Sequence, residues 1–119
     1  MRRIHTISFH HDLSGIFHAL RTQPNFVVHL SLSLVVVLSG LFFHISNTQW
    51  LIIILTIFIG LAVELINTAI ETTVDLLTDQ YHILAKIAKD TASGAMLIYA
   101  IGSVIIALVI FLPKLWLYI

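Results

Sequence analysis

The sequence predicts an all-α membrane protein, with an N-terminal surface helix followed by three transmembrane helices. Apolar residues make up 59% of the 119 residues and charged residues 10%, against roughly 25% charged residues in an ordinary soluble domain. A soluble fold must cover its surface with polar groups, so this composition excludes a soluble globular enzyme and a disordered chain. The formal net charge is zero, and without a basic face we expect no nucleic-acid partner.

Three apolar segments supply the membrane-spanning helices, and we expect them at 26–45, 50–77 and 89–113. Each contains about 20 mostly apolar residues, enough to cross a hydrocarbon core of about 30 Å at about 1.5 Å per residue. A buried helix of a soluble protein is the alternative for any one segment, but the chain has too few polar residues to bury three. The connections are short, so we expect residues 1–119 to form a single membrane domain.

The segment 4–22 has the pattern of an amphipathic helix that lies in the membrane interface. Its apolar residues recur at helical spacing and form one stripe, with the polar residues mostly off it: Phe9, Leu13, Ile16, Phe17 and Leu20. A frayed tail is the alternative. The residues 22–25, which include Pro24, are expected to end this helix and turn the chain into the membrane.

The basic residues predict the orientation in the membrane. With three spans, all but Lys114 fall on the same side: Arg2, Arg3, Arg21, Lys86 and Lys89. The positive-inside rule places this side, together with the N-terminus, in the cytoplasm. Trp50, Trp116 and Tyr118 then lie at the opposite interface, where aromatic belts occur.

The second predicted span carries a stripe of polar residues. Glu64, Asn67, Glu71 and Asp75 recur at helical spacing, within an arc of about 80°. A carboxylate at membrane depth costs at least about 2.5–3.5 kcal/mol on insertion scales, so several on one face indicate a function. Carboxylate and amide oxygens suit Mg²⁺, and a poorly solvated carboxylate suits a general base. A polar seam that locks an oligomer together is the alternative.

The start of the third span complements this stripe. Lys86, Lys89 and Asp90 precede a stretch of small residues that includes Ser93 and Gly94. Lysines suit phosphate oxygens, and small residues allow close helix packing or leave room for a flat ligand. The histidines form no metal-binding pair, and we interpret them as interfacial or structural: His5, His10, His11, His18, His29 and His44.

These polar positions resemble the pattern of the prokaryotic diacylglycerol kinase family, E-x-x-N-[ST]-A-I-E-x-x-V-D followed by Y-H and A-K-D. Here the pattern runs from Glu64 to Asp75 and continues at Tyr81-His82 and 88–90. The resemblance extends over nearly the whole chain. Residues 25–26, His29 and the tail 111–116 resemble the Gram-positive branch, whose members act as undecaprenol kinases.

The resemblance implies a small homotrimeric membrane enzyme that transfers the γ-phosphate of MgATP to a lipid hydroxyl, with sites between neighbouring chains. It assigns Glu64 as the general base, which also meets the lipid, and Ser93 as a lipid contact. It assigns Glu71 and Asn67 to the metal, with Glu71 also binding ATP. The remaining nucleotide contacts that it implies are Gln80, Tyr81, His82, Lys89 and Asp90.

Three positions depart from the family's pattern. Gln23 stands where the family usually has a glutamate that joins Glu71 in holding metal, and an amide offers an oxygen without a charge. Ile4 and His11 stand where the family has an arginine and a tyrosine at the nucleotide site, and Arg3 could replace that arginine. We therefore assign Gln23 to metal and ATP and His11 to ATP; in the alternative, Gln23 only caps the turn before Pro24.

Two questions stay open at this point. The chain could be a non-enzymatic membrane protein, either an ion-conducting assembly with the stripe along its path or a degenerate kinase-like scaffold. A pore does not require Lys89, Asp90 and their small neighbours, so we favour the kinase. Undecaprenol and diacylglycerol both present a primary hydroxyl at the interface, and the sequence does not choose between them.

Overall fold

The computed structural model describes residues 9–119, and within that range every regular element is helical. The elements are α1 (Phe9–Thr22), α2 (Pro24–Phe43), α3 (Asn47–Leu77) and α4 (Ile83–Leu115), followed by a 3-10 turn at Trp116–Tyr118. By length and composition, α2, α3 and α4 with its 3-10 turn could each cross a membrane. The all-α fold and the three candidate spans are thus confirmed.

All three spanning helices start earlier than predicted, and α2 ends two residues earlier, because local capping residues and Pro24 define their ends. Pro24 starts α2, where its missing N–H costs nothing, and α2 ends before His44, whose φ of 52° is left-handed. A capping box between Ser46 and Gln49 starts α3 at Asn47 rather than at 50. His82 accepts a hydrogen bond from the Leu84 N–H, so α4 starts at Ile83 rather than at 89.

α1 covers only the described part of the predicted surface helix. Residues 4–8 of that prediction, and with them Ile4 and the basic residues Arg2 and Arg3, lie outside the described residues. Phe9, Leu13 and Phe17 of α1 are exposed, and α1 packs against α2 and α3. Its placement in the membrane interface stays a prediction.

The core of the bundle lies toward the end opposite the polar stripe. Ile45, Ile53 and Ile110 form a buried apolar cluster, and the rings of Phe43 and Tyr118 are 5.7 Å apart. Elsewhere the apolar side chains are largely exposed, as expected for helices that face lipid or other chains.

Gly60 allows α3 and α4 to approach closely near the middle of the bundle. A Cβ atom at Gly60 would lie 2.1 Å from the ring of Tyr99. The Tyr99 hydroxyl donates a hydrogen bond to the Thr56 carbonyl, at 3.0 Å. These two contacts hold the tyrosine ring against the backbone of α3.

Candidate active site

A polar pocket opens between the start of α2, the second half of α3 and the first half of α4. Its volume is about 310 Å³. Four of the predicted site residues line it together: Glu64, Asn67, Glu71 and Ser93. The structure adds Asn25 and His29 from α2, while Val28, Met96, Leu97 and Ala100 supply apolar walls.

α3 presents its polar side chains to this pocket because they recur every three or four residues, which places them on one helix face. Glu64 is only 2% exposed and Asn67 8%. Burial of a carboxylate and an amide is unfavourable unless they find polar partners. Such burial at the centre of an apolar helix indicates that these side chains serve a site.

Asn67 is oriented by its neighbour one turn along α3. Its Nδ2 donates a hydrogen bond to Oε1 of Glu71, at 3.1 Å. The amide oxygen Oδ1 is buried and has no hydrogen-bond partner. Since buried polar atoms are nearly always satisfied in native proteins, this oxygen is available for a ligand that accepts electron pairs.

The oxygen atoms of Asn67 and Glu71 fit a hard divalent cation such as Mg²⁺. Mg²⁺ is usually held by one or two carboxylates together with phosphate oxygens and water, rather than by an all-protein cage. No cluster of three or more His, Cys, Asp or Glu side chains suited to a metal is found in residues 9–119, so Asn67 and Glu71 would supply only part of the cation's ligands. The donor set thus fits a cation that is shared with a phosphate group.

His29 faces the most buried carboxylate. Its Nε2 lies 3.9 Å from Oε2 of Glu64, so the structure places in the pocket a histidine that the sequence interpretation treated as interfacial or structural. Asn25, His29 and Ser33 are spaced one helical turn apart on α2. That spacing is the sequence signal that could have identified Asn25 and His29.

Two ion pairs lie beyond the pocket, toward the connection between α3 and α4. Lys89 bonds to Asp75 across the two helices, and Lys86 bonds to Asp90 one turn along α4. Neither Lys89 nor Asp90 lines the pocket, although Lys89 lies one turn before Ser93. Both pairs are solvent-exposed, so they cost little to open.

Comparison with known proteins decides the family. The family model described as "Prokaryotic diacylglycerol kinase" matches residues 10–111, which include the whole pocket. The chain is a member of the prokaryotic diacylglycerol kinase family. Its enzyme class is therefore that of a lipid kinase, as the resemblance predicted, and the non-enzymatic alternative is not supported.

Two relatives match along most of this kinase. A Bacillus subtilis protein named undecaprenol kinase is 48% identical over 108 residues, covering 91% of this chain and 88% of the relative. A Synechocystis protein named diacylglycerol kinase is 39% identical over 110 residues, covering 92% of this chain but only 63% of the relative. An Escherichia coli diacylglycerol kinase is 41% identical over 54 residues, or 45% of this chain and 44% of the relative.

The other residues that the diacylglycerol kinase pattern assigns to the nucleotide lie outside the pocket. Tyr81 is exposed in the connection between α3 and α4, where Gln80 accepts and donates hydrogen bonds with Thr78. His82 caps α4, and His11 is exposed on α1.

Gln23 also lies outside the pocket. It occupies the N-cap position of α2, half-buried, and its side chain makes no capping hydrogen bond. Gln23 thus stands at the turn before Pro24, as the capping alternative places it, but without a capping contact of its side chain. Its assignment to metal and ATP stays a prediction.

Proposed function

We propose that this lipid kinase transfers the γ-phosphate of MgATP to the hydroxyl of undecaprenol or diacylglycerol, giving the lipid phosphate and ADP. The observation that carries the proposal is the pocket itself. It places a buried carboxylate, Glu64, beside an unpaired amide oxygen on Asn67 and a second carboxylate on Glu71. A proton acceptor for a lipid alcohol thus lies beside ligands for the metal that accompanies ATP.

Glu64 acts as the general base. Its carboxylate takes the proton from the lipid hydroxyl as the hydroxyl oxygen attacks the γ-phosphorus. A bond forms between the lipid oxygen and phosphorus, and the bond from phosphorus to the β–γ bridging oxygen breaks, so ADP leaves with that electron pair. Ser93, across the pocket on α4, is placed to hydrogen-bond the lipid head.

Asn67 and Glu71 are the residues that would hold Mg²⁺. When bound, Mg²⁺ neutralises charge on the β- and γ-phosphates. Lys89 exchanges Asp75 for a phosphate oxygen, and the loop residues 80–82 with Asp90 meet the rest of the nucleotide. Because there is little covalent chemistry for the protein to do, its main contribution is to position these groups.

A single chain leaves this site incomplete. The pocket is open on one side. Tyr81 and His11, which the family resemblance assigns to the nucleotide, are exposed. We propose a homotrimer in which a neighbouring chain completes the ATP site. The basic residues Arg21, Lys86 and Lys89 lie at this end of the helices, which supports a cytoplasmic site in a bacterial inner membrane.

The decisive experiment measures phosphate transfer by the pure protein. The enzyme is reconstituted in vesicles with γ-³²P-labelled ATP and Mg²⁺, and undecaprenol and diacylglycerol are supplied separately. The Bacillus subtilis relative makes undecaprenol the first lipid to test. We expect label in one lipid phosphate and none when Mg²⁺ is omitted. No label in either lipid would overturn the proposal.

A further inference from the structure

The carboxylate of Glu64 meets one basic side chain in the described part of the protein. That side chain is His29, whose Nε2 lies 3.9 Å from Oε2 of Glu64. The two residues come from different helices, α2 and α3, and both line the pocket. Contacts around a catalytic group are often longer before the reactants bind and shorten in the complex, so this separation suits a pair that closes during the reaction.

His29 is itself held from the other side, by α4. The ring of Tyr99 lies 5.7 Å from the imidazole ring, centroid to centroid. Tyr99 in turn packs against Gly60 and donates a hydrogen bond to the Thr56 carbonyl. A continuous set of contacts therefore runs from the backbone of α3, through Tyr99 and His29, back to the Glu64 carboxylate.

We propose that His29 is the positioning residue for Glu64 and that Tyr99 keeps its imidazole in place. This inference rests on the proposed function. A glutamate has three side-chain torsions, and the face of α3 alone does not fix the carboxylate. A donor at Nε2 of His29 would select one orientation of Oε2, and catalytic groups must be held to about 0.5 Å of the productive geometry.

The test compares His29→Leu with His29→Gln, because glutamine can place an N–H group close to the position of Nε2. His29→Leu should lower kcat about 10–100-fold, by analogy with the loss of a side chain that orients a metal ligand, with the KM for MgATP within about twofold of wild type. His29→Gln should recover most of the lost kcat. Ser31→Leu is the matched control. Ser31 is exposed on the same helix, and its hydroxyl donates a hydrogen bond to the Val27 carbonyl within that helix.

Tyr99→Phe tests the support behind the imidazole. It removes the hydrogen bond to the Thr56 carbonyl but keeps the ring, so kcat should fall by only about two- to fivefold. If His29→Leu does not assemble, the kcat values of Tyr99→Phe and His29→Gln test the proposal in its place. A wild-type kcat in Tyr99→Phe would overturn the part assigned to Tyr99.

The outcomes separate this inference from the proposed function. If the wild-type protein transfers no phosphate, the proposed function fails. If the wild type is active and His29→Leu keeps its kcat, only the positioning role of His29 is overturned. Equal losses in His29→Leu and His29→Gln, or a loss that appears only in KM, would also overturn it.

Discussion

Lys89 of α4 bonds to Asp75 of α3, and so joins the last turns of one span to the first turns of the next. The same lysine lies outside the pocket, one turn before Ser93, which lines it. The two side chains are 41% and 63% exposed, and exposed ion pairs contribute about 0–1 kcal/mol. A phosphate group could therefore replace Asp75 without a large loss of stability.

The first prediction concerns the charge of Lys89. Lys89→Gln should raise the KM for MgATP about tenfold, which corresponds to about 1.4 kcal/mol, with a smaller effect on kcat. The measurement is phosphate transfer at varied MgATP and saturating lipid. Lys86→Gln is the matched control, because Lys86 also loses an exposed carboxylate partner but lies one turn farther from the pocket. Equal effects of both variants would contradict a specific phosphate contact at Lys89.

The second prediction concerns Glu64 as the base. Glu64→Gln should lower the rate of transfer by at least about 100-fold, because it removes the proton acceptor and keeps nearly the same shape. The assembly, measured by size-exclusion chromatography in detergent, should stay unchanged. Thr73→Val on the exposed face of α3 is the control, since Thr73 bonds only to its own helix at Ala69. More than a small residual activity in Glu64→Gln would show that another group accepts the proton.

The polar stripe could be predicted from sequence because it lies within one helix. The positions of Glu64, Asn67 and Glu71 follow from the helical repeat alone, and the pocket contains all three. The spacing of Asn25 and His29 places them on one face of α2, but the contacts of His29 with Glu64 and Tyr99 could not be predicted, because they depend on how α2 and α4 pack against α3. The position of the Tyr99 ring depends on the absence of a Cβ atom at Gly60, and no charge or hydropathy pattern indicates such a contact.

The third prediction concerns Glu71 as a metal ligand. Glu71→Gln should raise the Mg²⁺ concentration that gives half-maximal activity about tenfold, since it removes a charged ligand from a site with few of them. The amide can still accept or donate a hydrogen bond with Asn67, so the local packing should survive. A Mg²⁺ titration at fixed ATP and lipid measures the shift. An unchanged titration would make Glu71 a structural partner of Asn67 and nothing more.

The last prediction concerns Gln23, where the family usually has a glutamate. In the structure Gln23 is the N-cap of α2, half-buried, outside the pocket of its own chain. A metal role therefore requires the cation site to extend beyond that pocket, into the open side that a neighbouring chain would complete in the proposed trimer. If Gln23 reaches the cation, Gln23→Glu adds a charged ligand and should lower the Mg²⁺ concentration for half-maximal activity.

A carboxylate at this position also meets two helix ends. At the N-terminus of α2 negative charge is favourable by about 0.3–1 kcal/mol, whereas at the C-terminus of α1, where the Gln23 N–H donates to the Ala19 carbonyl, it is unfavourable by a similar amount. Gln23→Glu should therefore leave thermal stability nearly unchanged, whether or not it touches the metal. Thr22→Glu is the control, since it places the same charge one residue earlier on an exposed side chain. A Mg²⁺ titration of wild type and both variants decides the assignment. A shift in Gln23→Glu alone supports a ligand at position 23, whereas superimposable curves would leave Gln23 only a role at the junction of the two helices.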